Sequence, residues 1–238
     1  MTNADPAATT EHDSAASDRI ELRGVSKTYW RGKQPLEVLK ELDFSVAAGA
    51  FVALMGPSGS GKSTLLNLIA GLDHPTKGTI SVAGERIDLM SETKRTKWRA
   101  RNIGFIFQTY NLLPVLNAQQ NVELPLILTR LSAKERKERA HTALRIVGLE
   151  DRTEHYPRQL SGGQEQRVTI ARAIVGDPNI IVADEPTGDL DRESANDILD
   201  LLGKLNTEFN KTIVMVTHDA AAAERASHTQ HLDKGSLR

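Results

Sequence analysis

The sequence predicts an α/β fold, with a parallel sheet between helices, a small antiparallel layer beside it and an inserted helical segment. Three observations predict it. The apolar runs Phe51-Val52-Ala53-Leu54-Met55 and Ile180-Ile181-Val182-Ala183 lack polar alternation, as strands buried on both faces of a parallel sheet do. Such runs are interleaved with helix-period stripes, of which Ile198, Leu201, Leu202 and Leu205 are the clearest. Nearer the N-terminus, Ile20 to Val25 and Leu42 to Val46 instead alternate apolar and polar residues, the pattern of half-buried antiparallel strands.

Along the chain, residues 1–18 carry Asp5, Glu11, Asp13 and Asp18, no Lys or Arg and no apolar segment, which reads as a disordered acidic tail rather than a secretory or transit peptide. The strand at 51–55 runs into a glycine-rich turn and a helix from about Lys62 to Ala70, stopped by Gly71. Gly78 to Val82 and Asn102 to Phe107 read as further strands. From about 109 to 160 the texture turns helical: Ser132-Ala133-Lys134-Glu135 is a capping box opening a helix with Ala140, Leu144 and Val147 at helical spacing before Gly148. The expected organisation is one domain over 19–238 with this helical subdomain inserted. Thr212 to Val216 gives one more strand, and Thr229 to Leu237 a closing hairpin around Lys234-Gly235.

The 238 residues, 39% hydrophobic and 26% charged, suit a soluble globular protein with a sizeable core. A net charge of -1 makes no global electrostatic case for nucleic acid, and none is expected as a partner. No apolar run approaches the roughly 18–20 residues that cross a bilayer, so this chain is not itself a permease. With no cysteine, disulfide and thiol chemistry are excluded, which fits a reducing cytoplasm.

The chemistry is concentrated in a few segments. Gly56-Pro57-Ser58-Gly59-Ser60-Gly61-Lys62-Ser63-Thr64 contains G-x-x-x-x-G-K-[ST], a pattern that chance gives in roughly one chain of this length in a hundred or fewer. Its glycines let backbone N–H groups cradle phosphate oxygens, Lys62 reaches the β- and γ-phosphates, and the Ser63 hydroxyl can ligate Mg²⁺. The plain alternative is a glycine turn capping a helix, but the buried strand before it supplies the phosphate-loop context. Asp184 ends an apolar strand, where a carboxylate can hold Mg²⁺ through water, and Glu185 beside it can polarise an attacking water. Gln108 and His218 follow strands that should end on the same sheet edge, so both can face the γ-phosphate; each alone reads as an ordinary loop residue. In Leu160-Ser161-Gly162-Gly163-Gln164, Ser161 can cap the helix running toward Gly176 and leave its positive end facing an anion. His228 and His231 have no carboxylate cluster nearby and read as a surface pair. Arg99, Arg101 and the charge run Lys134 to Arg139 read as solvated helix faces.

In chain order, the phosphate loop, Gln108, Leu160 to Gln164, Asp184-Glu185, Asp191 and His218 resemble the nucleotide-binding subunit of an ABC (ATP-binding cassette) transporter, from about Ile20 to the C-terminus. The resemblance implies a P-loop NTPase cassette with a RecA-like core, ATP and Mg²⁺ as cofactors, and hydrolysis of ATP to ADP and phosphate. It also implies roles. Gln108 senses Mg²⁺ and the lytic water, and His218 clamps the γ-phosphate. Ser161, Gly163 and Gln164 contact nucleotide held by a second copy, so two ATP molecules are sandwiched between subunits, and Asp191 lies in the loop crossing that interface. Tyr29, in Val25-Ser26-Lys27-Thr28-Tyr29, resembles the aromatic residue that stacks on adenine, although a strand-end aromatic is more often core.

Gly71 to Thr76, Ile103 to Gln108, Asn111 to Pro114, Asn121 to Pro125 and Glu185 to Gly188 look like the lipoprotein-releasing, macrolide-export and cell-division-type branch. Asp189 stands where that branch commonly has Asn, and Glu165 where Gln is frequent. The implied partners are a second copy or another ABC subunit, and a separate integral-membrane permease, placing the chain peripherally on the cytoplasmic side of the cell (inner) membrane. The implied work is extraction of lipoproteins or hydrophobic compounds, or force transmission. The apolar segment Leu112-Leu113-Pro114-Val115-Leu116 is expected to line a groove for a cytoplasmic helix of that permease, the alternative being that these residues pack the core of the helical subdomain. Two rivals are a soluble DNA-repair or translation ATPase and a regulatory scaffold. The first usually carries coiled coils, zinc modules or a fused second cassette, and the intact Glu185 and His218 argue against the second.

Overall fold

Hydrophobic alternation sorts the strands of the computed structural model, which describes residues 18–237, into two sheets. The tail expected over 1–18 lies outside the described residues except at Asp18, which opens the first strand. Strands β1 (Asp18–Arg31) and β2 (Gln34–Ala47) form a long antiparallel hairpin. β3 (Phe51–Met55) leads through the glycine-rich loop into α1 (Lys62–Ile69), after which β4 (Lys77–Val82) and β5 (Glu85–Arg86) return to the first layer in the order β2-β1-β4-β5.

Next come α2 (Glu92–Asn102), β6 (Ile103–Ile106), α3 (Ala118–Glu123) and α4 (Ala133–Ile146). The chain finishes with α5 (Gly162–Ile174), β7 (Ile180–Asp184), α6 (Arg192–Thr207), β8 (Thr212–Val216), α7 (Ala220–Ala223), β9 (His228–Asp233) and β10 (Ser236–Leu237). The core sheet has the order β10-β9-β3-β8-β7-β6, parallel throughout except for the final β9–β10 hairpin.

Each central strand feeds two cores. Val52, Leu54, Ile180, Val182, Val214 and Val216 pack with α1 and the alternating residues Ile20, Leu22, Leu42, Phe44 and Val46 of the antiparallel layer. Phe51, Ala53, Ile181, Ala183, Ile213 and Met215 point the other way, against α5, α6 and the helices between β6 and β7. This two-faced burial explains the lack of alternation in these runs. On α6, Ile198, Leu199, Leu201, Leu202 and Leu205 are buried, each such side chain contributing about 1.5–3 kcal/mol. Leu202→Ala would cost about 2–5 kcal/mol because packing around it leaves little room to collapse.

The helical termini follow the local code. Ser132 and Glu135 form the expected capping box of α4, and Gly148 ends that helix with φ 74. Three details differ from the sequence reading. Asn102 closes α2 instead of opening a strand, its side chain donating back to Trp98 O at 2.9 Å. Arg99 is half-buried and donates to Gly71 O at 2.7 Å, so its part of α2 is a docked face; Arg101 is exposed. In the run 134–139, Arg136 is half-buried and donates to Leu131 O at 2.8 Å, while its neighbours are exposed. Because the core strands are parallel, β3, β6, β7 and β8 deliver their C-terminal ends to one edge, where α/β sheets bind ligands.

Candidate active site

The loop between β3 and α1 is shaped by backbone that side chains resist. Gly61 has φ 106, and a Cβ there would lie 2.8 Å from Leu39 Cδ2, so the loop rests directly on β2. Lys62 is 7% exposed, and its ammonium donates to Gly56 O at 2.7 Å and Pro57 O at 3.0 Å, across the loop it belongs to. The resulting cavity, about 840 Å³, lies within the roughly 300–1,000 Å³ of small-molecule sites. Of the loop, Gly56, Pro57, Ser58, Gly59, Gly61, Lys62, Ser63 and Thr64 line it, joined by Gln108, Glu185, His218, Leu36 and Val38. Ser60 does not. It is 3% exposed, its N–H donates to Pro57 O, and its carbonyl accepts from Gly235 N–H, so it braces the loop from beneath.

Acidic groups gather at the β7 end. The Ser63 hydroxyl donates to Asp184 Oδ1 at 3.3 Å, and burial is the chief cause raising the Asp184 pKa, with Glu185 adding to the rise against Ser63 and Lys62. Glu185 adopts φ 46, a left-handed conformation unusual for a side-chain-bearing residue, and its N–H donates to Val216 O at 2.9 Å. That geometry brings Glu185 Oε2 to 2.9 Å from His218 Nδ1. The hydroxyl of Ser63, the carboxylate of Asp184 and the amide of Gln108 are hard oxygen donors suited to Mg²⁺ with phosphate oxygens, and a cation would relieve the carboxylate that burial penalises. The residues present therefore fit both Mg²⁺ and a nucleoside triphosphate.

Other predicted residues lie apart from this cavity. Ser161 caps α5: its hydroxyl accepts from Gln164 N–H at 3.3 Å while Gln164 Oε1 accepts from Ser161 N–H at 3.0 Å. Gly163 abuts the start of α6, where a Cβ would lie 3.0 Å from Ser194 Oγ, and Asp191 caps α6 by accepting from Ser194 N–H at 2.9 Å. Ser161 and Asp191 are exposed, and neither they nor Gly163 and Gln164 line the loop cavity. Tyr29 is outside its lining too, yet its hydroxyl is close to Thr64, in the first turn of α1. Exposed His228 and His231 remain a surface pair, and among the described residues no group of three or more His, Cys, Asp or Glu could hold a metal.

Sequence reasoning missed several residues here. Leu36 and Val38 of β2 form an apolar wall of the cavity. Arg172 of α5 donates to Asn111 O at 2.7 Å and Tyr110 O at 2.9 Å, and Thr169 donates to Tyr110 O at 3.1 Å, fastening the segment after Gln108 to the helix that Ser161 caps. Gln166, fully buried, donates to Pro186 O at 2.7 Å and ties that helix to the loop after Glu185. Partners 20–62 positions apart leave no local sequence signal.

The family profile described as ABC transporter matches residues 39–188. A relative described as an uncharacterized ABC transporter ATP-binding protein, YvrO of Bacillus subtilis, is 49% identical over 92% of this chain and 95% of its own length. YbbA of Escherichia coli, described in the same words, is 44% identical over 93% of this chain and 97% of its own. A solved dimeric structure of a post-hydrolysis state of the ATP-binding cassette MJ0796 bound to ADP and Pi superposes with a TM-score of 0.85 at 44% identity, covering 92% of this chain and 96% of that one. The chain belongs to the ABC transporter family, and it is an ATP-binding, ATP-hydrolysing cassette of that family.

Proposed function

We propose that this cassette works as one of two subunits that close on ATP and drive a separate membrane permease. The observation that carries the reading is the separation of its parts: the phosphate loop lines a cavity with Glu185 and His218, while exposed Ser161 and half-buried Gly163 and Gln164 form a helix N-terminus outside it. A helix end with free N–H groups and two glycines suits the γ-phosphate of nucleotide held by a second copy. Asp191, beside Gly163 through Ser194, lies on the same face, as an interface residue would. The dimeric state of the MJ0796 cassette supports this reading.

Within each site, the loop residues from Gly56 to Thr64 other than Ser60 hold the phosphates with Lys62 on the β- and γ-groups, and Tyr29 stacks on the base. Ser63, Gln108 and Asp184 hold Mg²⁺, which when bound neutralises charge on the phosphate oxygens. Glu185 takes the proton of the attacking water, and His218, 2.9 Å from it, holds that carboxylate and the γ-phosphate in line. The domain runs over 19–238 with a helical subdomain at about 109–160.

The permease is of the lipoprotein-releasing or macrolide-export type, on the resemblance carried by Gly71 to Thr76, Asn121 to Pro125 and Glu185 to Gly188. No helix among the described residues is long and apolar enough to cross a membrane. Partnership with a permease would put the chain peripherally on the cytoplasmic side of the inner membrane. The test is dilution: turnover per subunit should rise with protein concentration. A rate flat across a wide dilution series, with a monomer shown by light scattering, defeats the composite site.

A further inference from the structure

Tyr29 is held on two sides by groups outside the phosphate loop. Its hydroxyl donates to Asp73 Oδ2 at 2.7 Å. The Lys27 ammonium stands 4.7 Å from the ring centroid, over one face, and donates to Asp73 Oδ1 at 2.6 Å and His74 O at 2.8 Å. Asp73 Oδ1 also accepts from the His74 N–H at 2.7 Å. This carboxylate thus gathers an ammonium, a phenol and an amide from two segments more than forty positions apart. The segments are themselves pinned: Thr76 N–H donates to Ser26 O at 2.8 Å, and Thr28 N–H donates to Thr76 Oγ1 at 3.0 Å. The Tyr29 ring has little freedom to turn, with only one face left for a flat ligand, although it is still 38% exposed.

We propose that Asp73 is a positioning residue for nucleotide binding: it fixes the Tyr29 ring through the phenol, and with Lys27 on the second face presents the open face to the base. This rests on the reading of Tyr29 as the base-stacking residue. The arrangement removes rotational freedom before the ligand arrives, and such preorganisation is gained as affinity. Asp73 itself needs no contact with nucleotide. Its charge is secure: burial pulls its pKa upward, but hydrogen bonds from Lys27, Tyr29 and the His74 N–H outweigh that and hold it below the usual carboxylate range.

The experiment titrates the full chain by calorimetry with two probes. MgADP carries the base and is not hydrolysed; inorganic tripolyphosphate fills the loop without a base. Tyr29→Ala should weaken MgADP about tenfold or more, the scale of losing a base–aromatic stack. Tyr29→Phe keeps the ring and the Lys27–Asp73 pair but deletes the bond, and should weaken MgADP by about 2- to 10-fold. Asp73→Ala should do the same, and the double variant should be no worse than the weaker single one. Tripolyphosphate affinity should stay within about twofold in all of them.

If Tyr29→Ala leaves MgADP binding unchanged, the stacking role itself fails. If Tyr29→Ala weakens binding but Tyr29→Phe does not, stacking stands and the Asp73 proposal falls. Tighter MgADP binding by Asp73→Ala, or an equal loss for both probes, likewise overturns it. Should Asp73→Ala fail to fold, Tyr29→Phe decides the matter alone.

Discussion

Glu185 and His218 follow different strands, β7 and β8, yet Glu185 Oε2 lies 2.9 Å from His218 Nδ1. The pairing is a product of parallel register: Asp184 pairs with Val216, so the residues beyond these strand ends emerge side by side at one sheet edge. The left-handed turn at Glu185 then aims its carboxylate toward the imidazole and leaves only about a fifth of the side chain exposed. A carboxylate so held is oriented to accept a proton without first reorganising.

Glu185→Gln preserves size and hydrogen-bonding shape while removing the carboxylate we propose as the base. Turnover should fall on the order of 10²-fold or more with ATP affinity retained, and the variant should accumulate as an ATP-bound dimer in size-exclusion chromatography. Undiminished turnover would hand water activation to another group, His218 first.

Mixing two inactive chains tests the shared site directly. A Lys62→Ala chain keeps a working Ser161 helix, and a Ser161→Arg chain keeps a working phosphate loop, so their heterodimer contains one complete site. Each alone should stay near background, while the mixture should regain ATP-dependent dimerisation and part of the hydrolysis rate. No recovery at any mixing ratio would argue that each subunit completes its own site.

Asp88 offers a stability test far from the chemistry. Its carboxylate, only 7% exposed, accepts from Arg86 at 2.6–2.8 Å and from Ile80 N–H at 3.1 Å, and chiefly the Arg86 bonds hold its pKa below the usual range. A depressed folded-state pKa means the contribution is present above the unfolded value, about 3.9, and is lost as pH falls through the folded value. Asp88→Asn should therefore lower Tm by about 2–4 °C at neutral pH, the gap closing in more acidic buffer. A gap independent of pH would show that charge is not the cause.

Coupling to the permease should depend on exposed apolar side chains. Of the segment 112–116, Leu113, Pro114 and Val115 are exposed, whereas Leu112 packs against the core and Leu116 is half-buried. Val115 at 77% and Leu128 at 84% exposed are the sharper probes, the latter lining a groove with Ala100 and Arg101 of α2. Val115→Glu and Leu128→Glu should leave ATP binding and basal hydrolysis of the isolated chain unchanged, yet abolish capture by a co-expressed permease and its stimulation of turnover. Loss of folding in circular dichroism would mark these residues as structural and defeat the assignment.

What the sequence made legible was local or periodic. The buried strands, the Ser132 and Ser161 caps and the phosphate loop each lie within about a dozen consecutive residues, where period and turn chemistry are decisive. Gln108, Glu185 and His218 were legible only as a set, since a shared sheet edge is a property of topology. Arg99, Arg172 and Asp73 escaped for the same physical reason in reverse: their partners, Gly71, Asn111 and Tyr29, are 28 to 61 positions away, and a lone charge on a helix or turn has the same local pattern whether solvated or docked. The split of 112–116 into exposed and packed residues depended likewise on Asn121, whose side-chain bonds to Leu113 and Leu116 fold that segment back on α3.

The two bonds from the Lys62 ammonium to Gly56 O and Pro57 O have a consequence for how a ligand is chosen. The charge already sits inside its ring of peptide groups, serving as an internal placeholder. An arriving ligand must win the ammonium away from two neutral carbonyls, and an anionic acceptor does so because it adds the attraction of opposite charges to a bond that the ammonium already strengthens. Polyanions are thereby sorted from neutral molecules at the first encounter, before any base is read.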